Sequence, residues 1–109
     1  MAKAGVYNNG VLAGIVEKTA GDHYIFNYTN EYFDNRDMYA ISLSFPKTQK
    51  QYEAKGLFPF FYGMLAEGIN KDIQCRLLKI DENDDFTRLI KTAGEDTIGA
   101  ITVKELNKE

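Results

Sequence analysis

Few residues in this chain could make or break bonds, and those few stand alone. His23 is the only histidine and opens an apolar run beside a Gly-Asp turn, with no acid or nucleophile at a fixed spacing. Cys75 is the only cysteine; flanked by Ile73 and Leu78, it reads as a small core residue and not a reactive thiol. No pair of its glycines forms a phosphate-cradling GxGxxG or P-loop, because Gly5, Gly10 and Gly14 are too widely spaced and lie in strand-like segments. No cofactor site is therefore expected. The acidic run Asp81-Glu82-Asn83-Asp84-Asp85 lacks the glycine and the distal glutamate of a calcium loop. Its carboxylates instead suit a helix N-terminus, where they accept orphan N–H bonds and favour the helix dipole. With metal-ligand spacing missing as well, no metal site is expected. Glu67 has no partner acid, and the chain reads as a non-enzyme.

What the chain does carry is recognition material. In Leu57–Gly68, LFPFFYGMLAEG, aromatic and large apolar residues crowd together between glycines and a proline. Phe60, Phe61, Met64 and Leu65 fall on one face of a short helix. A helix apolar on several sides cannot bury all of them against one sheet, which leaves Tyr62 and Ile69 as the surplus. Ile69 follows Gly68 at a turn. Two readings are open there: an exposed apolar anchor for a partner, or a staple packed on the next helix.

The elements that must position these residues follow from the hydrophobic period. At 109 residues, 44% apolar and 13% aromatic, the chain is expected to form one domain with a real core. Ala4–Asn8 and Val11–Lys18 read as strands around Asn9-Gly10, a type I′ hairpin turn. His23–Tyr28 is a third strand, and Tyr39–Phe45 alternates into a fourth that Pro46 stops. Asn30–Asp37 is ambiguous, and Lys47–Lys55 reads as a polar surface loop. Three helices follow. The first is Phe58–Glu67, closed by a left-handed Gly68. The second is Lys71–Lys79, capped by Asn70, with Ile73, Leu77 and Leu78 as its apolar positions. The third is Asp85–Thr92, capped by Asn83 or Asp84, with Phe86, Leu89 and Ile90 inward and Gly94 at its end. Ile98–Val103 is a last strand returning to the hairpin edge, and Glu105–Glu109 a polar tail. The expected fold is α+β: a small antiparallel sheet or partly open barrel with three short helices on one side.

The net charge of −3 carries no basic excess, so no direct nucleic-acid contact is expected. A single cysteine, no charged-then-apolar leader and no apolar run of membrane-spanning length point to a cytoplasmic protein with no membrane partner.

Four segments, in order, resemble the N-terminal subdomain of HipA-type kinases over nearly the full length. They are Val6–Gly14 (VYNNGVLAG), Ile41–Pro46 (ISLSFP), Pro59–Gly68 (PFFYGMLAEG), and Asp84–Leu89 followed by Gly94–Val103. Two positions depart from the pattern: Ala66 stands for the usual proline, and Ile69 stands where some stand-alone relatives carry a large aromatic. The kinase's phosphate-binding loop and catalytic and metal-binding aspartates lie outside this subdomain, so the resemblance implies a non-catalytic chain. It implies a HipS-like antitoxin of a three-component HipBST-type system, supplying in trans the subdomain that its kinase lacks. The implied partners are a HipT-like serine/threonine kinase and a HipB-like helix-turn-helix repressor. The kinase interface then falls on Tyr62, Ala66, Glu67, Gly68 and Ile69. Two alternatives share the same sequence features: a structural subunit completing the kinase or a promoter-bound repressor complex, and an N-terminal domain excised from a full-length kinase.

Overall fold

The computed structural model describes residues 2–93 and 100–106. Among the described residues, five strands and four helices occur in the order β1 (Ala2–Asn8), β2 (Val11–Lys18), β3 (His23–Tyr28), α1 (Asn30–Asp34), β4 (Gln51–Lys55), α2 (Pro59–Tyr62), α3 (Gly68–Leu78), α4 (Asp85–Thr92) and β5 (Ile101–Glu105). The strands form one open antiparallel sheet, ordered β4-β3-β2-β1-β5. The α+β expectation holds, with an open sheet and a fourth helix, α1, in the segment whose sequence was ambiguous.

The β1–β2 hairpin turns through Asn9 and Gly10, whose φ values of 52° and 84° are the two positive angles that a type I′ turn demands. A bulge between Val6 and Tyr7 shifts the register after Val6↔Gly14. The last strand does return to the hairpin, pairing β5 antiparallel to β1 with Val6 opposite Val103. Ile98, Gly94 and most of the polar tail fall outside the described residues.

Alternation buries one face of the sheet: Ala4, Val6, Val16, Tyr24, Phe26, Tyr28 and Val103. The helices cover that face through aromatic contacts. Phe26 lies 6.0 Å from Phe61 of α2, Tyr24 lies 5.9 Å from Phe86 of α4, and Tyr28 stacks on Tyr32 of α1 at 5.8 Å. Phe45 packs among Phe26, Phe58 and Phe61 at 4.9, 5.2 and 5.8 Å. Gly14 is required by close approach: a Cβ there would sit 2.5 Å from the Asn27 carbonyl oxygen and 2.6 Å from the Phe26 ring.

Two expectations fail at the middle of the chain. Tyr39–Phe45 is not a strand. Ile41 and Phe45 are buried, but Tyr39 and Leu43, which a strand would place on the same face, are 83% and 100% exposed. The segment is held by side chains instead of a ladder. The Tyr28 hydroxyl donates to the Phe45 carbonyl and accepts from the Ile41 N–H at 3.2 Å. The Tyr32 hydroxyl donates to the Tyr39 carbonyl at 2.5 Å, and the Lys47 ammonium to the Met38 carbonyl at 2.8 Å. Conversely, the expected loop Lys47–Lys55 contains β4, an edge strand with Tyr52 and Ala54 half-buried and Gln51, Glu53 and Lys55 exposed. Polar residues on the outward face of an edge strand discourage strand addition and also mask the strand in the sequence.

The helices are corrected in their boundaries. The expected Phe58–Glu67 helix shrinks to α2, Pro59–Tyr62, because Gly63 caps it and the chain then winds through isolated turns. Gly68 takes the left-handed conformation foreseen for it (φ 63°), but it opens α3 and does not close α2. Asn70 is inside α3; the N-cap is Glu67, whose side chain makes no cap bond. Ile73, Leu77 and Leu78 lie outward, and Cys75 is the buried residue of α3. The α4 helix stands as foreseen, with Asp84 at its N-cap.

Candidate functional site

The residues singled out for partner binding occupy the connection from α2 to α3. Pro59 starts α2 at its first position, where its missing N–H costs nothing. The Tyr62 and Gly63 amides donate to the Phe58 and Pro59 carbonyls at 2.9 Å each, and the Met64 and Leu65 amides continue the winding at 3.0 and 3.1 Å. Phe61 and Leu65 are the buried anchors of this segment. The chain then leaves the core. Ala66 is half-buried, Glu67 is extended (φ −129°, ψ 163°) and exposed, and Gly68 and Ile69 project beyond it.

Ala66 and Glu67 form the short turn that leads into α3, and Gly68 and Ile69 are the first residues of that helix, all but Ala66 exposed. Ile69 is 72% exposed, so the reading in which it packs as a staple is overturned. Tyr62 is 45% exposed on the last turn of α2.

The fixture of this turn was not foreseen. Arg88 on α4 is 1% exposed, and its Nη2 donates to the Ala66 carbonyl at 2.7 Å. Its Nη1 donates to Asp85 Oδ1 at 3.2 Å, and Nε has no partner among the described residues. A buried guanidinium is costly unless paired. The first of these bonds joins the helix that closes the core to the carbonyl just before the projecting residues, and the second stays within α4. The one signal in the sequence was the Asp85–Arg88 spacing of three, which equally describes an ordinary exposed pair on a helix.

Several of the groups considered for chemistry make local structural contacts. Asp84 Oδ1 accepts from the Thr87 N–H at 3.1 Å and Asp84 Oδ2 from the Thr87 hydroxyl at 2.8 Å, a helix cap. Asp81 Oδ1 accepts from the Asn83 N–H at 2.8 Å. His23 bridges Thr19 Oγ1 (Nδ1, 3.0 Å) and Glu53 Oε1 (Nε2, 3.1 Å), tying β3 to β4. Cys75 is buried. Burial pushes the Tyr24 and Tyr28 hydroxyls up to about 12, with the Asp85 carboxylate adding to the rise at Tyr24. Among the described residues no group of three His, Cys, Asp or Glu could hold a metal ion. No helix among them is long and apolar enough to cross a membrane.

A second feature adjoins the turn. An open cleft of about 770 Å³ is lined by Phe60, Met64, Leu78, Gln74, Lys91 and Thr92, together with Pro59 and the chain from Gly63 to Ala66. A further cleft of about 400 Å³, with Asn8, Ala40, Ile41 and Ile101 in its walls, shares Phe60 and Met64 with it.

The comparisons agree with this architecture. A solved structure, the N-terminal domain of HipA toxin, superposes with a TM-score of 0.72 at 26% identity, covering 100% of this chain and 96% of that one. An uncharacterized protein of Haemophilus influenzae is 31% identical over 100 residues, which are 92% of this chain and 89% of that relative. The profile of the HipA N-terminal domain matches residues 4–104 and does not include the kinase domain; this chain belongs to the HipA N-terminal domain family.

Proposed function

We propose that this chain is a non-catalytic, HipS-like antitoxin that binds a HipT-like serine/threonine kinase and restrains it. The observation that carries the reading is the Ala66–Ile69 turn. It presents a 72% exposed isoleucine on a backbone tethered through a buried arginine. An apolar side chain held out on a fixed turn loses little entropy on docking and is what an interface anchor requires. Family membership supplies the kind of partner, a HipA-type kinase. A relative that matches over 89% of its own length supports the view that this domain also occurs as a short separate protein. A HipB-like helix-turn-helix repressor would join through the kinase, since the domain's charge of −3 offers no basic face for DNA.

The reading expects a kinase of this family to be encoded beside this chain. Growth of cells expressing that kinase, with and without this chain, separates restraint from fold completion. Recovery of growth on co-expression supports the antitoxin. Undiminished or deeper arrest, with the two proteins still associated, replaces it with a subunit that completes the kinase.

A further inference from the structure

We infer that the outward face of α3, carrying Ile69, Ile73 and Leu77, docks as a helix into an apolar groove of the HipA-type kinase partner. This rests on the reading above and deepens it: the anchor at Ile69 becomes the first of three.

The α3 helix is turned inside out. At about 3.6 residues per turn, Ile69, Ile73 and Leu77 fall within about 80° of one another on it. Cys75, the buried residue of this helix, lies about 160° from the middle of that row. A helix that rests on its own core turns its large apolar residues inward. Here Ile69, Ile73 and Leu77 are 72%, 44% and 75% exposed, and the inward side is Cys75 with half-buried Lys71 and Gln74. Elsewhere exposed apolar residues are scattered. Of the nine large ones among the described residues, α3 carries four, Leu78 included, and the other five are divided among the β1–β2 hairpin, the Tyr39–Phe45 segment and α2. Single exposed side chains are ordinary on a folded domain, whereas a contiguous row marks an interaction surface.

Size and position identify the occupant. A helix of 11 residues is about 16 Å long and about 10 Å across. Two copies of this chain crossing at α3 would each bury no more than roughly 400 Å², about half of what each partner buries in a stable complex. The row therefore needs a partner that reaches past the helix. It begins at Ile69, beside the turn that Arg88 tethers, and Leu77 stands about 12 Å further along the same rigid element. A partner seated on Ile69 thus meets Ile73 and Leu77 as well. Family membership supplies such a partner, a HipA-type kinase. Apolar residues at i, i+4 and i+8 are the anchors of a helix laid in a hydrophobic groove. Exposed Asp72 and Arg76 border the row on one side and Asn70 on the other, so the matching groove is apolar at its floor and polar at its rim.

The test uses the whole chain purified with the HipA-type kinase that the proposal expects beside it. Affinities are measured for Ile73→Asp, Leu77→Asp and Leu77→Ala, with Leu43→Asp, at a fully exposed position off this helix, as the control. Sedimentation of the free chain over a range of concentrations tests for a second copy on the same face. The docked helix predicts about tenfold or more loss of affinity for both α3 aspartate variants and a smaller loss for Leu77→Ala. It also predicts parent affinity for Leu43→Asp, unchanged melting temperatures for all four variants, and a monomeric free chain. Normal binding by all three α3 variants, with Ile69→Asp weakened, overturns the docked face and leaves the anchor at Ile69 standing. An equal loss with Leu43→Asp overturns it as well, since the effect would then not belong to α3. A free chain that dimerises, and becomes monomeric with Leu77→Asp, overturns the kinase as occupant in favour of a second copy. A melting temperature that collapses with both Leu77 variants overturns the premise that this side chain faces solvent. No complex at all overturns both this inference and the reading it rests on.

Discussion

Replacing Arg88 by methionine separates what this residue does for the fold from what it does for the turn. Methionine has nearly the length of the arginine stem and fills the same buried path. It removes a charge-assisted bond to the Ala66 carbonyl at 2.7 Å and a longer one to Asp85 at 3.2 Å. Bonds of this kind contribute about 1.5–3 kcal/mol each when well formed, and the longer one, to a carboxylate that is 35% exposed, contributes at the low end or below. Against this stands the desolvation of a guanidinium whose Nε is unpartnered among the described residues. An unsatisfied buried donor costs about 1–3 kcal/mol, and the partner left behind, Asp85, is 35% exposed and can be taken up by water in place of the guanidinium. The two sides cancel, so global stability should change by less than about 1 kcal/mol. The turn should not escape so lightly. With the Ala66 carbonyl released, local opening loses about 1.4 kcal/mol or more of resistance, which is a factor of about ten in exchange. The donors to read are the Leu65 and Lys71 amides, which bond to the Tyr62 and Glu67 carbonyls on either side of Ala66. Chemical denaturation gives the global term, and amide exchange by NMR gives the local one. Unchanged exchange at both amides would show that Arg88 does not hold the turn. A global loss above about 3 kcal/mol would show that the buried charge supports the whole fold.

Other expectations follow from the same contacts. Gly14→Ala should destabilise the domain by about 2–3 kcal/mol or more in denaturant melts, because the new Cβ meets a backbone oxygen at 2.5 Å that cannot step aside; a loss below about 0.5 kcal/mol would contradict the β2–β3 packing. Tyr24 and Tyr28 have folded values of about 12 against 10 when exposed. The neutral hydroxyls are thus favoured by the fold, and their contribution is complete below pH 10 and lost as pH rises from 10 to 12. The denaturation midpoint should therefore fall across that window, and the fall should be reduced in Tyr28→Phe. Ile69→Asp should leave the melting temperature within about 2 °C, since the side chain is 72% exposed; a collapse of the fold would mean that Ile69 is a packing residue.

Legibility tracked how much of each signal was local. The β1–β2 hairpin was readable because Asn9-Gly10 between alternating runs has few other structural solutions. The α4 helix was readable because its cap residue and its inward pair Phe86 and Leu89 lie within one short segment. Tyr39–Phe45 misled because its alternation was real in composition but not in burial: Ile41 and Phe45 are drawn in by hydroxyls from β3 and by the aromatic cluster, which are distant in sequence. The β4 strand was hidden because an edge strand with Gln51, Glu53 and Lys55 outward is as polar as a loop. Of the site, a surplus of apolar residues over surface to bury them singled out Tyr62 and Ile69, but it left the exposure of Ile69 open against a packed staple, which the structure decided. Arg88 did not follow, because its role depends on Ala66 lying across from α4, a contact of 22 residues' separation that no local pattern encodes.

The central claim is that this domain holds a kinase through the turn at Ile69. It is tested most directly by purifying the chain together with the HipA-type kinase that the proposal expects beside it and measuring stoichiometry and affinity with parent and Ile69→Asp chains. The account predicts a stable one-to-one complex in which kinase activity is suppressed, and affinity at least tenfold weaker for Ile69→Asp in a domain that melts normally. Normal binding by Ile69→Asp would move the anchor elsewhere, and absence of any complex would contradict the account altogether.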